Sequence, residues 1–155
     1  MVGSGPSSDE LQARAKQAEI SDAITFVPPQ PIRDVLGRGR LMVIPSHAES
    51  LPYVILEAAA AAQPIVATNV GGIPEIFGPR AGELVSPGDA RALANAIMNK
   101  LGEPASERSA KARALSDFVR CRFSLDKMVA GVLDGYDAAF AARRVVRSER
   151  LIPAE

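Results

Sequence analysis

Short aliphatic runs bounded by glycine and proline alternate with alanine-rich and charged stretches along most of this sequence. Such runs fit buried strands, and parallel strands need helical crossovers between them. The alternation is therefore typical of βα units around a buried parallel sheet. We predict an α/β fold, a three-layer sandwich with a mostly parallel sheet, whose strands cover residues 24–27, 41–44, 64–68 and 83–85.

The stretches between these strands have helical character, and the sequence beyond Pro104 is charged and rich in alanine. A chain of 155 residues has the length of one domain. We predict a single Rossmann-like domain over residues 1–124, followed by a C-terminal crossover helix and tail over residues 125–155. Helices are predicted over residues 8–19, 32–38, 53–62, 90–101, 106–118 and 125–147, with a brief turn at 74–77.

The first residues are typical of a strand end that enters a glycine-rich loop. Met1 and Val2 are followed at once by the string Gly3-Ser4-Gly5-Pro6. We therefore expect a truncated first strand and a chain that is a fragment, although a native start at Met1 would give the same string.

Charge and cysteine content exclude several classes of protein. Eighteen basic and eighteen acidic residues give a net charge of zero, so we expect no nucleic-acid partner. Cys121 is alone, which excludes an intramolecular disulfide and a Cys-only zinc site and fits a reducing compartment. No apolar run approaches the roughly 18 residues that a membrane-spanning helix needs. We expect a cytoplasmic protein without a metal site.

The candidate ligand-binding residues follow the predicted strands, because open α/β sheets bind ligands beyond the carboxyl ends of their strands. The richest such stretch is residues 45–64. Ser50 is the predicted N-cap of a helix and Pro52 lies in its first turn. The free amides near Tyr53 and Val54 predict a phosphate site that needs no metal.

Two carboxylates flank the start of that helix. Glu49 lies in the preceding loop and Glu57 lies about one and a half turns inside, so both can reach one ligand from different sides. Taken alone, Glu57 also fits favourable helix-dipole chemistry and Glu49 fits a solvated loop residue. Likewise Gly3-x-Gly5 lacks the third glycine of a dinucleotide fingerprint, and Gly71-Gly72 is equally consistent with close backbone packing.

Taken together, these motifs resemble one family, the group 1 or family four retaining glycosyltransferases. The likeness covers about residues 1–100. The strings that carry it are Val2-Gly3-Ser4-Gly5-Pro6, Pro45-Ser46-x-x-Glu49-Ser50-Leu51-Pro52-x-x-x-x-Glu57-Ala58, Pro64-Ile65-Val66-Ala67-Thr68-Asn69-Val70-Gly71-Gly72-Ile73-Pro74-Glu75 and Glu83-Leu84-Val85-Ser86-Pro87-Gly88-Asp89.

The resemblance implies a B-type fold, in which two Rossmann-like domains face one another and the chain is similar to the second, donor-binding domain. It implies that Glu49 is the catalytic carboxylate, close to hydroxyls of the donor sugar, and that Glu57 hydrogen-bonds the ribose. The other donor-binding residues that it implies are Gly3 and Gly5 in the opening loop, Val27 and Pro28 at the nucleobase, and Ser50, Leu51, Pro52 and Tyr53 at the diphosphate.

Three positions depart from the family's common pattern. Ser50 stands where glycine is frequent, and Pro28 replaces a usual glycine in the base-contacting loop. Ala62 stands where a helix-ending glycine is frequent, at a cost of about 1 kcal/mol if the site is left-handed. These differences leave the nucleobase preference open and bear less on the resemblance to the family.

The resemblance implies transfer of a sugar from a UDP- or GDP-sugar, with no metal and no cofactor, to a glycan or lipid-linked acceptor in bacterial polysaccharide biosynthesis. In the full-length protein, peripheral attachment at the inner face of the cell membrane is an alternative to a free cytoplasmic location. The family's diphosphate-binding Arg and Lys would precede Met1 and the N-terminal acceptor domain is missing, so we expect this chain alone to be inactive. Its final helix then lacks a packing partner and can drive self-association.

Two other hypotheses remain. One is a free-standing, non-catalytic module that binds nucleotide-sugars or regulates another protein, which a native start at Met1 would favour. The other is a receiver-like domain, which the absence of Asp after the strands at 24–27 and 41–44 disfavours.

Overall fold

The computed structural model describes residues 1–149, with side-chain surroundings for residues 1–142. Its strands are β1 (Met42–Ile44) and β2 (Ile65–Ala67). Its α-helices are α1 (Ser8–Gln17), α2 (Ile32–Val35), α3 (Tyr53–Ala60), α4 (Ile73–Phe77), α5 (Ala90–Gly102), α6 (Ala105–Arg122) and α7 (Leu125–Glu149), with 3₁₀ turns at Ser21–Ala23 and Gly78–Glu83.

Every strand pairing in the described residues is parallel. β1 pairs with β2 in the register Met42 to Ile65, Val43 to Val66 and Ile44 to Ala67. Single parallel bridges join Thr68 to Val85 and Val2 to Val27. The predicted α/β fold with a parallel sheet and a helical C-terminus is confirmed.

Two of the predicted strands are present only as these single bridges. Of residues 24–27 only Val27 is bridged, to Val2. The amide of Ile24 closes the preceding 3₁₀ turn by donating to the Ser21 carbonyl at 3.2 Å, so this residue does not take part in strand pairing. Of residues 83–85 only Val85 is bridged, because Glu83 ends a 3₁₀ turn in which its carboxylate binds Arg80. The amide of Leu84 donates to the Ala81 carbonyl at 3.1 Å and so closes the turn instead of pairing with a strand.

The core lies where α3, α4 and α6 meet β2. α3 contributes Ile55, Ala58 and Ala59, which are fully buried and pack with Ile65 and Ala67 of β2. The small side chains of Ala58 and Ala59 allow the helix to pack closely on the strand. The remaining core residues are Ile73, Ile76 and Phe77 from α4, and Leu115 and Val119 from α6.

α6 secures the end of α3. The buried Ser116 donates from Oγ to the carbonyl oxygen of Ala60 at 2.9 Å, and Arg120 Nη2 donates to the same oxygen at 2.8 Å. Carbonyls at a helix C-terminus lack intrahelical partners and carry partial negative charge, which a guanidinium stabilises. α6 extends to Arg122 rather than ending near 118, and its buried positions at 112, 115, 116 and 119 keep helical spacing beyond the predicted end.

The chain leaves α3 through a left-handed residue. Ala62 has φ +54°, its amide donates to the Ala59 carbonyl at 2.9 Å, and the next amide, of Gln63, donates to the Ala58 carbonyl at 3.0 Å. This pair of bonds is a Schellman motif, which favours glycine at the left-handed position. The cost of about 1 kcal/mol that we predict for alanine at a left-handed position 62 therefore applies.

α7 carries an exposed apolar face. Every residue from 125 to 142 is exposed. The large apolar side chains among them are Leu125, Met128, Val129, Val132, Leu133, Tyr136 and Phe140. The predicted tail at 150–155 lies outside the described residues. In the part of the chain that the structure describes, no helix is both long and apolar enough to cross a membrane.

Candidate functional site

The loop between β1 and α3, residues 45–52, holds the first predicted carboxylate in a defined position. Glu49 is half-buried, and its Oε1 accepts a hydrogen bond from Ser46 Oγ at 2.7 Å. The carbonyl of Ser46 accepts a bond from Thr68 Oγ1 at 2.6 Å. Thr68, at the carboxyl end of β2, is only 2% exposed, so it ties the loop to the sheet.

The Gly71-Gly72 turn packs against the backbone of the same loop. Gly72 N donates to the Ser50 carbonyl at 2.6 Å. A Cβ on Gly71 would lie 1.8 Å from the Glu49 carbonyl oxygen, and one on Gly72 would lie 2.5 Å from that of Ser50. The close packing predicted as one role for the two glycines is present, and it fixes the loop that carries Glu49.

Helix α3 begins two residues later than an N-cap at Ser50 would imply. Its N-cap is Pro52, with no side-chain capping bond, so the prediction that Ser50 caps the helix is wrong. Ser50 is unavailable for that role because its carbonyl pairs with Gly72 and the helix starts only at Tyr53. The first intrahelical acceptor is the Pro52 carbonyl, which takes the amide of Ile55 at 3.1 Å. The amides of Tyr53 and Val54 therefore face the loop edge as orphan donors.

Glu57 lies on the exposed side of α3, whereas Ile55 and Ala58 on the same helix are fully buried. It stands about 6 Å along the helix axis from Tyr53, from the rise of an α-helix. Tyr53 is 74% exposed, while Pro52 is buried. Pro52 anchors the helix start, and Tyr53 and Glu57 remain accessible to a ligand.

The other predicted contacts form a second group at the opening loop. Val27 N donates to the Met1 carbonyl at 2.8 Å and Gly3 N donates to the Val27 carbonyl at 3.0 Å, so Gly3 and Val27 are brought together. Pro28 is exposed just beyond them. A cavity of about 360 Å³ lies over this loop. Its lining includes Gly3, Gly5, Ser8, Leu11 and Phe26.

The sequence hypotheses did not assign Ser46 and Thr68 to the site. Ser46 enters the sequence analysis only as one residue of the family motif, and Thr68 only as the end of a predicted strand. The two residues are 22 positions apart in the sequence. The signal that could have found Ser46 is its spacing, because a hydroxyl three residues before a loop carboxylate can bond to it. Thr68 gave no comparable local signal.

The strongest charge cluster lies away from these residues, beside the Gly78–Glu83 turn. Arg80 binds both carboxylate oxygens of Glu83, at 2.7 and 2.8 Å, and Lys100 lies 3.2 Å from one of them. The hydrogen bonds from Arg80, aided by Lys100, lower the pKa of Glu83 to about 2 despite partial burial. The arrangement joins the turn to α5 and is structural. Where the structure describes side chains, over residues 1–142, no group of three or more His, Cys, Asp or Glu residues is placed to hold a metal ion.

Comparison with known families gives a match over most of the chain. The family model described as glycosyl transferases group 1 matches residues 1–116. The D-inositol 3-phosphate glycosyltransferase of Gordonia bronchialis is 35% identical over 158 aligned residues, covering 92% of this chain and 34% of that protein. The glycogen synthase of Mycobacterium tuberculosis strain H37Rv is 34% identical over 126 residues, covering 76% of this chain and 30% of that protein. The chain thus spans about a third of the length of these relatives.

A solved structure has the same fold. The sucrose-phosphate synthase from Thermosynechococcus elongatus superposes with a TM-score of 0.75 at 28% sequence identity, over 91% of this chain and 38% of that one. The family-model match over residues 1–116 includes the parallel strands, the loop of residues 45–52 and α3.

Proposed function

The chain belongs to the group 1 glycosyltransferases, and from that membership we propose that it is the donor-binding part of such an enzyme, with a UDP- or GDP-sugar as its ligand. The observation that carries the proposal is the secured loop of residues 45–52 running into α3. This one stretch presents Glu49, two orphan amides and Glu57 at the carboxyl end of the strands. Ligands of open α/β sheets bind at that edge.

Each part of the nucleotide-sugar has a matching group. The diphosphate lies over the start of α3, where the amides of Tyr53 and Val54 and the helix dipole stabilise its charge without a metal. Glu49 accepts hydrogen bonds from hydroxyls of the sugar, and Glu57 accepts them from the ribose. The nucleobase lies against Val27 and Pro28.

In the opening loop, the glycines Gly3 and Gly5 let the backbone approach the ligand. Neither would bring a Cβ within 4 Å of other protein atoms, so the space over this loop is open to a ligand. Gly3 and Gly5 both line the cavity of about 360 Å³ there.

The full-length protein, in this proposal, transfers the sugar with retention of configuration. The bond between the anomeric carbon and the diphosphate breaks, the acceptor oxygen bonds to that carbon, and the acceptor proton passes to the leaving diphosphate. Amides aimed at the leaving group stabilise the charge that develops on it. We assign the role to bacterial polysaccharide assembly in the cytoplasm, free or peripheral at the inner membrane face, on a glycan or lipid-linked acceptor.

The acceptor site belongs to a second domain in this proposal. The chain spans about a third of the length of its relatives, so we expect this chain by itself to bind the donor and not to transfer sugar. The exposed apolar face of α7 supports self-association of the isolated chain. Sedimentation at several protein concentrations therefore accompanies each binding measurement.

The test is a calorimetric titration of the chain with UDP, GDP, ADP and their sugar conjugates, first without metal and then with magnesium. Glu57→Ala is expected to weaken binding by about 1–3 kcal/mol, the value of a hydrogen bond to a charged group. Glu107→Ala, an exposed glutamate on α6, is the matched control and leaves affinity unchanged. Unchanged affinity in folded Glu57→Ala removes Glu57 from the site, and no binding by the folded wild-type chain refutes the proposed function.

A further inference from the structure

The carboxylate of Glu49 is held by a neighbouring hydroxyl. Ser46 Oγ donates to Glu49 Oε1 at 2.7 Å, and both side chains are half-buried. Among residues 1–142, whose side chains the structure describes, no group donates a hydrogen bond to the other carboxylate oxygen, Oε2. One oxygen is thus engaged by the protein and the other is left for a ligand hydroxyl.

Ser46 is itself fixed by the strand that follows α3. Thr68 Oγ1 donates to the Ser46 carbonyl at 2.6 Å from a position that is 2% exposed. The far side of the loop is held by the bond from Gly72 N to the Ser50 carbonyl, also at 2.6 Å. The Ser46 hydroxyl therefore projects from a backbone with little freedom to move.

We propose that Ser46 is a positioning residue that holds the Glu49 carboxylate ready for the donor sugar. The inference rests on the proposed function, because it gives Glu49 the sugar as its ligand. A free glutamate side chain loses rotamer entropy when a ligand orders it. A hydrogen bond that already orders the carboxylate removes part of that cost before the ligand arrives.

The hydrogen bond between Ser46 and Glu49 lies where its loss should affect ligand binding more than the stability of the fold. A hydrogen bond between two half-exposed side chains on a loop contributes little to the free energy of unfolding, since water replaces it readily. The loop backbone is secured by other groups, Thr68 and Gly72. Removal of the Ser46 hydroxyl is therefore expected to free the carboxylate without unfolding the loop.

The experiment compares nucleotide and nucleotide-sugar binding by calorimetry, with UDP, UDP-glucose, GDP and GDP-mannose as probes. Ser46→Ala is expected to weaken binding of the preferred nucleotide-sugar about fivefold to tenfold and to change binding of the matching nucleotide by less than about twofold. Ser46→Thr keeps the hydroxyl and restores affinity. Ser106→Ala, an exposed serine on α6, is the matched control.

Two further measurements make the result specific to Glu49. In a Glu49→Ala background, Ser46→Ala should have no additional effect, because its only target is gone. The urea midpoint of Ser46→Ala should equal that of the wild-type chain. An equal loss for nucleotide and nucleotide-sugar, or an effect that persists without Glu49, would mean that Ser46 shapes the whole loop and overturns the inference.

The outcomes separate the two proposals. Wild-type binding of a nucleotide-sugar that Ser46→Ala leaves unchanged refutes the positioning role alone. A wild-type chain that binds a nucleotide no more weakly than its sugar conjugate refutes the sugar contact of Glu49 and the inference with it. A folded wild-type chain that binds none of the four probes refutes the proposed function, on which the inference rests.

Discussion

Replacing Ala62 by glycine should stabilise the protein. Ala62 has φ +54° at the left-handed position of the Schellman motif that ends α3. That conformation costs a residue with a Cβ roughly 1–2 kcal/mol, and glycine is exempt. Glycine also loses more backbone entropy on folding, about 0.5–1 kcal/mol, which offsets part of the gain. We expect Ala62→Gly to raise the free energy of unfolding by about 0.5–1 kcal/mol.

The preceding residue supplies a matched control. Ala61 is the C-cap of the same helix, with φ −82°, a conformation that alanine adopts without strain. Ala61→Gly should therefore destabilise the protein by about 0.5–1 kcal/mol, the entropic cost of glycine with no compensating gain. The same substitution of alanine by glycine should therefore change the free energy of unfolding in opposite directions at these two neighbouring positions.

Urea unfolding followed by far-UV circular dichroism measures both variants. With a slope of roughly 1–3 kcal/mol per molar urea, the midpoints should move by a few tenths molar in opposite directions at an unchanged slope. The comparison is made at one low protein concentration, because association through α7 would add a concentration-dependent contribution. A destabilised Ala62→Gly, or equal shifts in the two variants, would refute the left-handed conformation at Ala62.

Two further predictions concern stability elsewhere in the fold. The pKa of Glu83 is lowered from 4.5 to about 2, so its stabilising contribution is present above pH 4.5 and is lost as pH falls towards 2. Glu83→Gln should cost about 1 kcal/mol at pH 6, after allowance for solvent screening of this partly exposed carboxylate, with the difference shrinking below pH 4.5 in urea titrations. A pH-independent difference would contradict the ionic origin. Gly71→Ala should destabilise the protein by about 2–3 kcal/mol, because its Cβ would lie 1.8 Å from the Glu49 carbonyl oxygen at φ +52°. Gly82→Ala, whose Cβ would meet nothing within 4 Å, is the control; similar unfolding free energies for the two variants would rule out the close contact.

Much of the fold could be predicted because its signals are local. The parallel β1 and β2 lie within the predicted runs 41–44 and 64–68, and helix α3 starts at Tyr53 as predicted. Apolar runs, proline and glycine act on their immediate neighbours, so they survive in the sequence pattern. The predicted strand at 83–85 is shorter in the structure, because residues 78–83 form a 3₁₀ turn that the amide of Leu84 closes.

The candidate site was predictable only in part. Glu49 and Glu57 were selected by their spacing around a helix start, and their proposed roles still await the binding test. Ser50 was assigned as the N-cap from residue type alone. Its carbonyl instead pairs with Gly72, 22 positions later in the chain, which no local pattern specifies.

The sequence by itself determined the α/β alternation, the parallel direction of the strands implied by its crossovers and the family motifs at the strand ends. It also identified Ala62 as a position where alanine would lower the stability if the backbone there is left-handed. Only the tertiary structure decided how the loop of residues 45–52 is secured, because Thr68, Gly71 and Gly72 reach it across neighbouring strand ends. Local preferences act within a few residues of the chain. Contacts between strand ends exist only once the strands lie side by side.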